Sequence, residues 1–169
     1  MMQTSLWQKT KLPSYDCLKE NITTDVLVIG GGLCGILCAY RLSKMNVKVV
    51  LVEKETLACS RTNKTTAVIT ALQDICYSDL IEKKGKQVAL QYLNACLEAI
   101  EEYRTLARSF DFDFESVPSY KYFKDDPIGL KKEVEAISAL GYGVVVEDGE
   151  VIKFANHAQM NPLKLIQAL

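Results

Sequence analysis

Three consecutive glycines, set between an apolar run and a helix-forming segment, constrain this chain more than any other feature. They lie in VLVIGGGLCGILCAYRL, residues 26–42. The preceding residues, Asp25-Val-Leu-Val-Ile29, are short, apolar, rich in β-branched side chains and end abruptly in glycine, a pattern that predicts a buried parallel strand. Leu33 to Met45 reads as a helix, with Leu33, Ile36, Leu37, Tyr40 and Leu42 near helical spacing. Lys44 suits the negative end of its dipole, and Asn46 can take the left-handed conformation that closes a helix. Val47 to Val52 is again mostly apolar and stops at Glu53, so residues 25–53 predict a βαβ unit with a right-handed crossover.

Within that unit Gly30, Gly32 and Gly35 match G-x-G-x-x-G, and each glycine has a mechanical task. Gly30 permits the tight turn out of the strand. Gly32 lets a pyrophosphate approach the backbone, and Gly35 lets the helix pack closely on the sheet. The helix start offers amide N–H groups and a partial positive charge to a diphosphate. Glu53 lies 23 residues beyond Gly30 at a strand end, where a carboxylate can accept ribose hydroxyls. The same carboxylate repels a 2′-phosphate, which disfavours NADP. FAD and NAD share the ADP half, so the fingerprint alone leaves both open.

At 169 residues the chain is long enough for one domain, or one and a fraction. A formal net charge of -1 speaks against nucleic acid or a membrane surface as partner. The polar start MMQTSLWQKTKLPSYD lacks the apolar core of a signal peptide, so a cytoplasmic location is expected. Six cysteines without a C-x-x-C pair, and one histidine, His157, argue against structural zinc and against a Rieske cluster within this chain; no metal site is expected. Cys34 and Cys38 share a helix face and read, like the other cysteines, as small buried hydrophobes in a reducing compartment.

Further along, residues 54–66 are polar and helix-poor, and AVITALQDICYSDL leads into a long helical region. Val88, Tyr92, Cys96, Ala99, Tyr103, Leu106 and Phe110 form its one-sided apolar stripe. Phe112, Phe114, Tyr120 and Tyr122 read as short half-exposed strands, the tyrosines serving strand packing rather than a substrate pocket. Asp126-Pro127 starts a helix that Gly141 closes. YGVVVEDGEVIKF reads as two strands around an Asp148-Gly149 turn, and Asn161-Pro162 opens a last helix. His157 reads as a structural surface or loop residue.

Residues 25–53, DVLVIGGGLCGILCAYRLSKMNVKVVLVE, resemble the N-terminus of the FAD-dependent oxidoreductases related to D-amino-acid oxidase and glycine oxidase. Residues 58–81, ACSRTNKTTAVITALQDICYSDLI, resemble the second flavin-contact loop of one branch, whose members often carry a C-terminal Rieske domain. The opening SLWQKTKLPSY and the late VIKFANHAQMNPLKLI resemble that branch too. The resemblance implies an α/β fold: a Rossmann-like FAD/NAD(P)-binding βαβ core and the beginning of an α+β substrate domain, incomplete beside relatives of several hundred residues. It divides the chain into a lead-in, 1–24; an FAD-binding part with the long helix, 25–115; the start of a substrate-domain sheet, 116–155; and a return helix, 156–169.

The resemblance also implies FAD as cofactor and an amine or amino acid as substrate, oxidised by hydride transfer to flavin N5. Gly30, Gly32 and Gly35 would line the diphosphate, with backbone contacts from Leu33 and Cys34. Glu53 and Lys54 would meet the adenosine ribose. Ser60, Arg61 and Thr62 would contact the diphosphate from the second loop, and Thr66, Ala67 and Val68 would approach the flavin ring or its ribityl chain. No general base is assigned, and the acceptor and oligomeric state stay open. Two other readings stand beside this one: a truncated, catalytically inactive nucleotide-binding chain, and an NAD-binding dehydrogenase module, which would lack a loop like residues 60–68.

Overall fold

The computed structural model describes residues 6–72 and 75–169. The first five residues of the expected lead-in, and Gln73 and Asp74 of the expected second-loop segment, lie outside the described residues. The chain forms two compact units. One comprises residues 1–67, 110–113 and 161–169; the other comprises 68–109 and 114–160.

The first unit is built on the βαβ. Strand β1 (Val26–Ile29) pairs in parallel with β2 (Val49–Val52), Val26 opposite Val49, and α1 (Leu33–Lys44) crosses between them. Asn46 closes α1 with φ +56°. The strand was expected to be buried, but Leu27 is 53% and Ile29 81% exposed. Among the described residues this sheet has two strands, and the face of β1 that carries Leu27 and Ile29 is largely exposed. The cysteines also depart from expectation: Cys17, Cys34 and Cys38 are exposed, and Cys59, Cys76 and Cys96 are half-buried. Cys34 and Cys38 do share a face of α1, but an exposed one.

The core of this unit is Ala58, Leu163 and Ile166, with Trp7, Leu12, Leu33, Ile36 and Leu57 packed against it. Leu163 and Ile166 belong to α5 (Pro162–Ala168), which Asn161 caps by accepting from the amides of Leu163 and Lys164, both at 3.2 Å. Phe112, expected on a half-exposed strand, is fully buried in an irregular segment, where its carbonyl accepts from the Asn161 amide at 2.8 Å.

The second unit is an antiparallel sheet with three helices. Strand β6 (Val151–Gln159) is its centre, with β4 (Glu115–Tyr122) along one side and both β3 (Val68–Ile69) and β5 (Val145–Glu147) along the other. Asp148 and Gly149, both at positive φ, turn the chain from β5 into β6. Gly85, at φ +85°, divides the expected long helical region into α2 (Tyr77–Lys84) and α3 (Lys86–Ala107).

The buried row of α3 is Ala89, Leu93 and Ile100, one position away from the expected stripe; Val88 is 44% exposed. Both rows have helical spacing, and Tyr92, Cys96, Tyr103 and Leu106 of the expected stripe are half-buried beside the buried one. Helix α4 (Pro127–Ala139) starts at Asp126, whose carboxylate accepts from the Gly129 amide at 2.9 Å. Tyr120 and Tyr122 stand on an exposed face of β4, Tyr122 at 73% exposure, and Lys153 of the neighbouring β6 lies over the Tyr120 ring, 5.6 Å from its centroid. None of the helices among the described residues is long and apolar enough to cross a membrane.

His157 is the clearest departure from a surface or loop reading. It sits in β6 and is fully buried. The register slips between Val117 and Ser119 on β4, where β6 spends an extra residue around Asn156, at φ +62°. That bulge puts His157 on the same side as Phe154, ring centroids 5.3 Å apart. Its Nδ1 lies 2.9 Å from the Thr70 hydroxyl oxygen, and burial lowers its pKa to about 4.

Candidate cofactor site

The glycine turn is tied to both ends of the βαβ. The Gly30 amide donates to the Val52 carbonyl at 2.8 Å, and Gly30 takes φ +112°, a conformation open to glycine. Gly31 is buried: its carbonyl accepts from the Ala58 amide at 2.9 Å and its amide donates to Glu53 Oε2 at 2.6 Å. A methyl group on Gly31 would sit 2.5 Å from Leu57 Cδ2 and 3.1 Å from Glu53 Cβ. The sequence motif treats this middle position as free, and the packing of Leu57 makes it the tightest to fill from the side chains around it. A methyl on Gly35 would strike the Gly30 carbonyl oxygen, so α1 lies directly against the turn it grows from.

Gly32 is the N-cap of α1, extended, with no side-chain cap. Among the described residues, the amides of Gly32, Cys34 and Gly35 have no acceptor. The Leu33 amide donates to Thr62 Oγ1 at 3.1 Å, which brings the second loop onto the helix start. A methyl on Gly32 would stand 3.3 Å from that same oxygen, so the space between the turn and Thr62 stays clear only with glycine. Donor amides, a cleared approach and neighbouring hydroxyls suit a diphosphate.

Glu53, directly after β2, accepts the Glu55 amide on Oε1 at 3.0 Å and the Gly31 amide on Oε2. These backbone bonds, that of Glu55 first and that of Gly31 next, hold its carboxyl below the usual carboxylate range. Each oxygen keeps a second lone pair, so acceptor capacity remains for a ribose hydroxyl. Lys54 is exposed beside it and makes no hydrogen bond to the turn among the described residues.

The second loop holds a short 3-10 turn, Thr62–Lys64. Ser60, Arg61, Lys64 and Thr65 line an open cleft of about 410 Å³, two cations and two hydroxyls together. Lys64 and Thr65 were missed by sequence reasoning; the one signal for them was their place beside Arg61. The Asn63 amide group donates to the Cys59 carbonyl at 3.2 Å, while its Oδ1 is buried without a partner. Thr66 is exposed, Ala67 is buried at φ +59°, and Val68 opens β3 opposite Gln159. The structure thus joins Gly31 to Glu53 and Leu33 to Thr62. It sets Ser60 and Arg61 on one cleft, and continues through Thr66 and Ala67 to the strand that Val68 begins.

Strand, glycine turn, helix and strand-end carboxylate define a nucleotide-binding βαβ protein. A family model described as FAD dependent oxidoreductase matches residues 25–169, and the chain belongs to that family, the DAO family, whose cofactor is FAD. A Bacillus subtilis (strain 168) protein, YhfW, named as a Rieske 2Fe-2S iron-sulfur protein, is 32% identical over 172 residues, covering 95% of this chain and 34% of that protein. Glycine oxidase from Geobacillus kaustophilus superposes with a TM-score of 0.67 at 15% identity, over 86% of this chain and 42% of the other. L-alpha-glycerophosphate oxidase from Mycoplasma pneumoniae, with FAD bound, superposes with a TM-score of 0.64 at 18% identity, over 88% and 41%. The fold is therefore the Rossmann-like FAD-binding core with the beginning of an α+β domain. The chain spans a third or somewhat more of the length of these relatives.

Proposed function

We propose that this chain is the FAD-binding N-terminal part of an oxidoreductase that oxidises an amine or amino acid. The observation that carries the reading is the set of amides at Gly32, Cys34 and Gly35, left without acceptors among the described residues, beside the Thr62 hydroxyl and the cationic cleft. In this reading FAD supplies a hydride acceptor at N5 for the carbon bearing nitrogen. Gly30, Gly32 and Gly35 shape the turn, the Cys34 amide faces the diphosphate, and the Leu33 backbone, through its amide bond to Thr62, holds the second loop beside it. Glu53 and Lys54 receive the adenosine ribose. Ser60, Arg61 and Thr62 neutralise and bind the diphosphate from the second loop. Thr66, Ala67 and Val68 run along the flavin or its ribityl chain, with the left-handed Ala67 setting the direction of that segment.

By role, residues 25–115 form the cofactor part with its long helix, 116–155 begin the substrate sheet and 156–169 return toward the cofactor part. This division follows function and does not coincide with the two compact units. The amine or amino-acid substrate is supported by the structural likeness to proteins named glycine oxidase and L-amino acid deaminase. A cytoplasmic location is part of the proposal.

The test is an absorption spectrum of the purified chain between about 350 and 500 nm, where bound flavin gives two bands. Flavin bands that bleach anaerobically with amino acids support the full reading. Flavin bands that no amine or amino acid bleaches leave a nucleotide-binding chain without this catalysis. A colourless chain that does not take up added FAD overturns the proposal.

A further inference from the structure

The lead-in to the βαβ contains the only tryptophan of the chain, Trp7, in a 3-10 turn, Leu6–Lys9. Its ring packs with Leu12 against the core of Ala58, Leu163 and Ile166. Its indole N–H donates to the Thr65 carbonyl at 2.8 Å, across 58 residues of sequence. Thr65 is the residue at which the second loop leaves its 3-10 turn; its own hydroxyl accepts from the Ala67 amide at 3.2 Å. The loop is therefore held at its front by Thr62, which accepts from Leu33, and at its back by Thr65, which accepts from Trp7. Lys64 lies between those anchors and Arg61 directly before the first, and their backbones are linked by the Lys64 amide donating to the Arg61 carbonyl at 3.0 Å.

We infer that Trp7 is a positioning residue for the cofactor loop: its indole N–H fixes Thr65 and so aims Ser60, Arg61 and Lys64 into their common cleft. This rests on the flavin reading for its ligand, but not for the contact. A side chain on a long flexible stem, such as Arg61 or Lys64, loses less freedom on meeting an anion when its backbone is already fixed. The packed ring gives the indole a rigid base from which one hydrogen bond can hold the loop.

The experiment compares the full chain with its Trp7→Phe variant, which keeps an aromatic ring and loses the donor. Limited trypsin digestion is followed by mass spectrometry after Arg61 and Lys64, with cleavage after Lys44 at the end of α1 as internal reference. Global destabilisation speeds all three sites together, whereas release of the loop raises the Arg61 and Lys64 rates relative to Lys44. The expected result is a rise in that ratio of about fivefold, with FAD bound about fivefold more weakly by titration, the scale of one lost neutral hydrogen bond.

An unchanged cleavage ratio overturns the role of Trp7, whatever FAD does. A raised ratio with unchanged FAD affinity also overturns it, since the loop would be loosened without consequence for the ligand. Failure of the wild-type chain to bind FAD overturns the functional reading instead. Should the variant not fold, wild-type emission decides: saturating FAD quenches most Trp7 fluorescence by energy transfer, and unaltered emission overturns the inference.

Discussion

The Gly31 amide donates to the Glu53 carboxylate at 2.6 Å, linking the middle of the glycine turn to the end of β2. The side chain proposed to receive the ribose is thus also the one that holds the turn. Glu53→Ala should weaken FAD binding by about tenfold in a flavin titration, because it removes a ligand contact and leaves the Gly31 and Glu55 amides unpaired. Unchanged affinity would take Glu53 out of the site. Because the folded chain holds the Glu53 carboxyl below its ordinary range, its contribution is full above the ordinary carboxylate pKa. That contribution is lost as pH falls through the lowered value, and the Gly31 amide resonance should report the loss in an acid titration.

His157 should make the chain less stable on the acid side of neutrality. Its folded pKa is depressed from 6.5 to about 4, so between those values the unfolded chain binds the extra proton. Stability is full above about 6.5, falls as pH drops and levels off below about 4, a loss on the order of 3 kcal/mol for a shift of this size. Urea denaturation across that range should show the slope, and His157→Gln should flatten it. An identical slope in the variant would assign the effect to other groups.

Glu133 is fully buried on α4 and accepts from the amides of Tyr77 and Ser78 and from the Ser78 hydroxyl, each at 2.9 Å, with Lys121 Nζ at 3.4 Å. It therefore caps α2 from another helix. Glu133→Ala should cost about 3 kcal/mol in chemical denaturation, because the first amides of α2 are left buried or half-buried without an acceptor. Glu133→Gln, which keeps one acceptor oxygen, should cost less. Equal costs would mean that packing volume, and not the cap, is what matters.

Gly35→Ala should destabilise the first unit by about 2 kcal/mol, since its methyl meets the fixed Gly30 carbonyl oxygen and not a movable side chain. Gly31→Ala presses on Leu57 Cδ2, which can rotate, but also on Glu53 Cβ, which cannot move without the strand end. It should therefore weaken FAD more than its stability cost alone would suggest, measured by paired denaturation and flavin titration.

The βαβ was legible in the sequence because its signals are local: an apolar run, a glycine turn, helical spacing and an acid at a strand end. The Asp126 and Asn161 caps and the Asp148-Gly149 turn were legible for the same reason. The contacts that shape the rest span long stretches of chain: 58 residues for Trp7 to Thr65, 55 for Ser78 to Glu133 and 87 for Thr70 to His157. No periodicity encodes such pairs. The choice between the Val88 row and the Ala89 row on α3 was likewise beyond the pattern, since both rows satisfy it. His157 turned inward through a bulge at Asn156 that alternation along a strand does not foresee.

The bare row formed by Leu27 and Ile29 bears on how the protein behaves in the hand. A formal net charge of -1 gives the molecules little mutual repulsion. Two apolar strands that meet by diffusion therefore have little to hold them apart. Self-association through those two side chains should grow with concentration and with salts that strengthen apolar contact, and should fall as the pH moves away from the sequence pI of about 5.9.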